Sequence, residues 1–166
     1  QPKDDAMWLA CFASREAIRR ATNVIRAAAF LTQRHESLRL RVIGTAATDP
    51  DLKVLASALG IGRRVEWITN MVVPSEALHD VDAGWVVGDY DDAGLGVLHL
   101  MASGIAVLAE RTTVAARYVS HGIHGMLLAN LDPAVMAAET TVLLAERERR
   151  TAMGAAGRAR VEREFP

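Results

Sequence analysis

A single cysteine, Cys11, in 166 residues excludes an internal disulfide, and with no partner base in view it is no candidate nucleophile. It stands in an apolar run, where burial is the expectation, and a reducing compartment fits such a chain. Aromatic residues make up 5% of the sequence. All three tryptophans, Trp8, Trp67 and Trp85, fall in strand-like runs, which points to core packing rather than to base stacking. Neither sign of charge dominates: the formal net charge is −1, so no general attraction to nucleic acid or to an anionic membrane is expected. No uncharged apolar run approaches the roughly 18 residues of a membrane span. The opening "QPKDDAMWLA" lacks a cationic signal-peptide head, and the chain starts abruptly, as an excised piece would. Neither G-x-G-x-x-G nor G-x-x-x-x-G-K-[ST] occurs, so an ordinary dinucleotide site and a P-loop are unsupported. Internal repeats, low-complexity tracts and long linkers are also missing.

What is present is enough apolar sequence, 51% of residues against 23% charged, to bury the core of one globular domain. Strand-like and helix-like segments alternate. "MWLACFA" (7–13) reads as a buried strand, followed by Ser14 as an N-cap and a helix over 15–34. "LRLRVIG" (38–44), a helix over 49–59 stopped by Gly60, and "RVEWIT" (64–69) repeat the unit. A short helix over 74–79, a strand over 83–89, a helix over 95–103 and a strand over 105–109 come next. A helix over 114–120 and the strand "GMLLAN" precede a long helical tail, capped by Asp132 with Pro133 at its first position and expected to break near "MGAAG". Strands separated by helices imply a parallel sheet covered on both faces. The fold class is α/β, a Rossmann-like doubly wound sheet of about six strands.

In such sheets ligands bind beyond the carboxyl ends of the strands, where strand order reverses. The stretch "DDAGLGVLHLMASG" (91–104) follows the fourth strand. Gly94 and Gly96 would let backbone approach a ligand, and free N–H groups at the helix start, around Leu95, suit a diphosphate. Asp91 can accept from hydroxyls, and His99 follows about two helical turns later. The plainer alternative is that the glycines only aid packing, that Asp91 or Asp92 caps the helix, and that Leu95, Leu98 and Ala102 form its buried face. His121 and His124, each followed by glycine, read as turn residues rather than a metal pair; His35 and His79 read as surface residues; Ser103 reads as a helix end.

Tyr90 to Gly104 followed by "IAVLAE" resembles the segment Y-E-G-F-G-L-x-x-L-E-A-M-A-S-G-x-P-V-V-A of GT-B glycosyltransferases, specifically the nucleotide-sugar-binding C-terminal domain of glycosyltransferase family 4. "LRLRVIG", "LASALGIGRRVEWIT", "VPSEAL", "HGIHGMLL" and "LLAERERRTAMGAAGRARVEREFP" are similar to successive segments of that domain, so the resemblance covers nearly the whole chain. It implies one half of a GT-B fold, with an N-terminal acceptor-binding domain absent from these residues. It also implies retaining transfer from a nucleotide diphosphate sugar, with no obligatory metal or cofactor; the residues themselves indicate no nucleic-acid partner.

Carried over residue by residue, the two glutamates of the family's E-x7-E, which contact donor sugar and ribose, stand here as Asp91 and His99. The basic pair of G-R-x-x-x-x-K-G, which neutralises the diphosphate, stands as Arg15 and Arg20; sliding the match by one puts Ser14 and Arg19 there instead. Of the glycines after the second strand only Gly44 remains, and the later G-G falls near Thr113 and Val114, with Arg117 in place of a glutamate. The resemblance thus assigns sugar and phosphate to Asp91 and the Gly94–Leu95–Gly96 amides, diphosphate to Arg15 and Arg20, and ribose to His99, with Gly44 lining the site. It also implies a cytoplasmic domain, the full-length protein being able to lie against the inner face of a membrane. Two rival readings are a non-catalytic GT-B module that binds a partner, and an α/β domain for another phosphorylated ligand.

Overall fold

The computed structural model describes residues 6–69 and 75–165. Its centre is a sheet of six parallel strands: β1 Met7–Phe12, β2 Leu38–Ile43, β3 Val65–Ile68, β4 Ala83–Val86, β5 Ala106–Glu110 and β6 Gly125–Leu128. Their order across the sheet is β3-β2-β1-β4-β5-β6, so the chain winds outward through β2 and β3, then returns to the other side of β1. Leu9 of β1 pairs with Leu40 on one side and with Ala83 on the other. The expected α/β, doubly wound sheet is therefore present, with its reversal between β1 and β4.

Alternation along each strand feeds two apolar layers. Leu9 and Cys11 point into one layer; Trp8, Ala10 and Phe12 point into the other. The first layer is covered by α1 Ile18–Thr32, α2 Pro50–Ala58 and α5 Pro133–Ala145. The second is covered by α3 Asp91–Ala102 and α4 Thr113–Ala116, with α6 Arg147–Glu164 packed on α3. Trp85 is 1% exposed and donates its Nε1–H to Thr140 Oγ1 at 3.1 Å, while Trp67 is only half-buried. Full burial pushes the Cys11 thiol up to about 12, which leaves it un-ionised and unreactive.

Aspartates cap two of the helices, as expected at Asp132. Asp49 accepts from the N–H groups of Asp51 and Leu52, with Pro50 at the first helical position, and Asp132 accepts from Ala134 and Val135 ahead of Pro133. Gly60, at φ +79°, ends the α2 region in the left-handed conformation that glycine tolerates.

Other boundaries differ from expectation. The helix after β1 starts at Ile18; Arg15–Ala17 form a separate 3-10 turn, and the Ser14 side chain caps no N–H. The helix expected from Leu95 begins at Asp91, and the one expected over 114–120 is a single turn, Thr113–Ala116. Of the short helix expected over 74–79, Pro74 lies outside the described residues and Ser75–Ala77 form a 3-10 turn. The terminal break falls at Glu146, and "MGAAG" runs unbroken inside α6. There a Cβ on Gly154 would lie 2.1 Å from the Gly104 carbonyl oxygen, so glycine serves close approach of α6 to the start of β5 rather than a break. No helix among the described residues is long and apolar enough to cross a membrane.

Candidate functional site

Three segments meet beyond the carboxyl ends of β1 and β4. The first leaves β1 at Phe12 and carries Arg15 in the 3-10 turn and Arg20 in the first turn of α1. The second leaves β2 through Gly44, whose φ of +123° suits glycine alone and whose N–H donates to Ile68 O at 2.8 Å. The third leaves β4 through Gly88 and enters α3 at Asp91.

Arg15 is tied to the second segment. Its backbone N–H donates to Thr45 Oγ1 at 2.7 Å and its Nη2 to Thr48 Oγ1 at 2.9 Å. These threonines follow Gly44 and bind the loop after β1 to the loop after β2. Arg20 is tied instead to a carboxylate: Arg20 Nε donates to Glu110 Oε2 at 2.9 Å. The other oxygen, Glu110 Oε1, accepts from the Gly88 N–H at 2.9 Å. Glu110 thus joins the end of β5, the loop after β4 and the first turn of α1. Reasoning from the sequence missed it, because "IAVLAE" read as strand; the available signal was a carboxylate closing an otherwise wholly apolar run at a carboxyl end. Arg19, the alternative partner in the shifted register, is exposed.

The acidic and imidazole positions both lie on α3. Asp91 is exposed at its first residue, and no described side-chain contact joins it to Arg15 or Arg20. His99 is half-buried, stacked on Phe12 with ring centroids 6.0 Å apart, and burial holds its pKa below the usual 6.5. Its neutral imidazole offers one donor and one acceptor to a ligand.

The glycines behave differently from a phosphate loop. Gly94 and Gly96 are buried inside α3, not in a turn before it. Because the helix starts at Asp91, its free N–H groups belong to the first turn, and those of Gly94, Leu95 and Gly96 face along the helix. A Cβ on Gly96 would lie 2.7 Å from Phe12 Cβ, and one on Gly94 3.1 Å from Val114 Cγ1. Leu95 is 42% exposed, and the buried face comprises Ala93, Gly94, Gly96, Val97, Leu100 and Met101 rather than Leu95, Leu98 and Ala102.

The remaining histidines are structural. His124 Nδ1 accepts from Ser120 N–H at 3.0 Å and His121 Nδ1 from Leu127 N–H at 2.9 Å, both fixing turns. His79 is exposed and His35 half-buried, less open than expected. Among the described residues no group of three or more His, Cys, Asp or Glu is placed to hold a metal ion. A groove of about 470 Å³ between α1 and α5 is lined by Arg26, Phe30 and Pro133 and by none of the candidate site residues.

Solved structures share this architecture. WaaG, a glycosyltransferase involved in lipopolysaccharide biosynthesis, superposes with a TM-score of 0.83 at 19% identity, over 98% of this chain and 44% of WaaG. The C-terminal domain of the group 1 glycosyltransferase LpcC from Francisella tularensis gives 0.77 at 17%, over 96% of this chain and 86% of that one. HepE from Anabaena, solved with UDP and glucose, gives 0.79 at 15%, over 97% and 45%. The chain therefore spans less than half the length of WaaG and HepE. At these identities the likeness shows the fold, that of GT-B glycosyltransferases. Comparison with curated proteins by sequence finds no match. The family itself is settled by sequence, for the family model matches residues 4–160: the chain belongs to the glycosyl transferases group 1 family.

Proposed function

We propose that this chain is the C-terminal, donor-binding domain of a family 4 GT-B enzyme that transfers a hexose from a nucleoside diphosphate sugar with retention of configuration. The observation that carries the reading is convergence. Residues matching three separated motifs, Arg15 with Arg20, Gly44, and Asp91 with His99, come from segments that meet at the sheet's reversal, where α/β folds bind ligands. In this reading Arg15 and Arg20 stabilise the diphosphate as it departs, the largest electrostatic demand of the reaction. Asp91 accepts hydrogen bonds from sugar hydroxyls, and neutral His99 faces the ribose. Phosphate oxygens meet the first-turn N–H groups of α3, while Gly94 and Gly96, with Leu95 between them, let the helix lie close enough to present those groups. Gly44 keeps the loop after β2 near the same point. Glycosyl transfer to an acceptor is assigned to a second, N-terminal domain of the longer protein, so this chain alone binds donor without appreciable turnover. In this reading the whole enzyme works in the cytoplasm, where the full-length protein is able to lie against the inner face of a membrane.

Calorimetric titration with UDP, GDP and ADP tests the reading. Saturable binding of one of them, weakened by Arg15→Ala and by His99→Ala, is the expected result. A folded chain and a folded full-length protein that both bind none would overturn it. That outcome would favour a second reading, a non-catalytic GT-B module, for which the pairing of Arg20 with Glu110 is the specific support.

A further inference from the structure

We propose that Glu110 is an internal competitor of the donor's diphosphate and sets how much negative charge the site accepts. The inference rests on the donor-site reading above and adds a residue to it. Both carboxylate oxygens are committed, Oε2 to Arg20 Nε and Oε1 to the Gly88 N–H, each at 2.9 Å. These donors, a guanidinium and a backbone N–H converging at the carboxyl ends of β1, β4 and β5, are the kind a phosphate group engages. Gly88 aims its N–H from a backbone conformation, φ +104°, that other residues rarely hold, and a Cβ there would meet Ala17 Cβ at 3.0 Å. The donor is therefore fixed in place and finds its acceptor in Glu110.

The exposures give the pair a direction. The Glu110 side chain is 17% exposed and that of Arg20 44%, so the carboxylate sits inside and the guanidinium opens to solvent. A phosphate reaching Arg20 from outside arrives beside a carboxylate that already neutralises it, and like charges at that range repel. The repulsion rises with the ligand's charge. Glu110 thus weakens diphosphates more than monophosphates and leaves an uncharged nucleoside unaffected.

Glu110→Gln isolates the charge, because the amide oxygen still accepts from Gly88 while the negative charge disappears. Wild type, Glu110→Gln and the double variant Glu110→Gln/Arg20→Ala are titrated with uridine, UMP, UDP and inorganic pyrophosphate, and folding is checked by circular dichroism. Glu110→Gln is expected to bind UDP and pyrophosphate about five- to tenfold more tightly, UMP less so, and uridine no differently. The double variant is expected to lose the gain. Equal or weaker UDP binding by Glu110→Gln, with wild type binding UDP, would overturn the inference and leave the donor-site reading standing. A gain confined to pyrophosphate, with no nucleotide bound by any form of this chain or by the full-length protein, supports the role of Glu110 in setting the charge accepted and removes the donor-site reading. Failure of every probe with all three folded forms, and with the full-length protein, removes both.

Discussion

The imidazole of His99 lies nearly parallel to the ring of Phe12, with centroids 6.0 Å apart and planes 6° apart. Phe12 ends β1 and is 1% exposed, so the helix that carries His99 is registered against the strand from which the Arg15 turn departs.

Acid should weaken this fold through His99 and His124. Burial lowers both pKa values from 6.5, aided at His124 by the nearby Arg160 cation. The unfolded chain therefore takes up protons first: this contribution to stability is complete above pH 6.5 and is lost as pH falls through the lowered native values. Protonation would also cost His124 Nδ1 the lone pair that receives the Ser120 N–H. The urea midpoint is expected to fall between about pH 7.5 and about pH 5.5, with a shallower fall in His99→Gln/His124→Gln. Parallel profiles for the two proteins would refute the assignment.

Two glycine substitutions in α3 should separate packing from ligand contact. Alanine at Gly96 drives its Cβ to 2.7 Å from Phe12 Cβ, an atom fixed to the strand. Gly96→Ala is expected to cost about 1–3 kcal/mol and, by shifting Phe12 beneath His99, to alter nucleotide affinity. At Gly94 the new methyl meets Val114 Cγ1 at 3.1 Å and Tyr118 Cε2 at 3.3 Å, both side-chain atoms that can yield. Gly94→Ala also gains up to about 1 kcal/mol of helix propensity, so its net effect on the thermal midpoint should be small.

How far the sequence specified the fold can be judged on the same helix. The strand and helix alternation, the cap at Asp132 and the sheet's six strands were legible from periodicity and side-chain chemistry. The start of α3 was not, because glycine opposes helix locally and only the close approach of Phe12 and Val114 makes it necessary here. "MGAAG" misled for the same reason, its glycines answering to Gly104 and Met101 far away in sequence. The candidate site was legible only as a set of positions carried over from a likeness to a family. Its internal bonding was not, since the pairings of Arg20 with Glu110 and of Arg15 with Thr48 span 90 and 33 residues, beyond the reach of local pattern.

Alanine at Gly154 should be among the most damaging single changes. Its Cβ would stand 2.1 Å from the Gly104 carbonyl oxygen, a backbone atom that moves only if α6 lifts from β5. A loss of about 3 kcal/mol or more is expected in chemical denaturation. Gly60→Ala, at φ +79° but with nothing within 4 Å, carries only backbone strain and should cost about 1 kcal/mol.

Thr140→Val tests the polar link through the first apolar layer. Thr140 Oγ1 accepts from Trp85 Nε1 at 3.1 Å and donates to Met136 O at 2.7 Å. Replacing the hydroxyl by a methyl leaves the indole N–H buried without an acceptor, and about 1–3 kcal/mol should be lost. An unchanged denaturation midpoint would show that the indole finds another partner.

The joint at Glu146 has a mechanical consequence for the whole domain. α5 seals the layer beneath α1, whereas α6, one residue later, crosses to α3 and sends Val161 into the opposite layer. The last two helices therefore act as a single strap around both faces of the sheet, and neither layer can open while the strap stays fastened. Unfolding should accordingly be one cooperative transition, and trimming the chain at Glu146 should release both layers together rather than yield a smaller stable core.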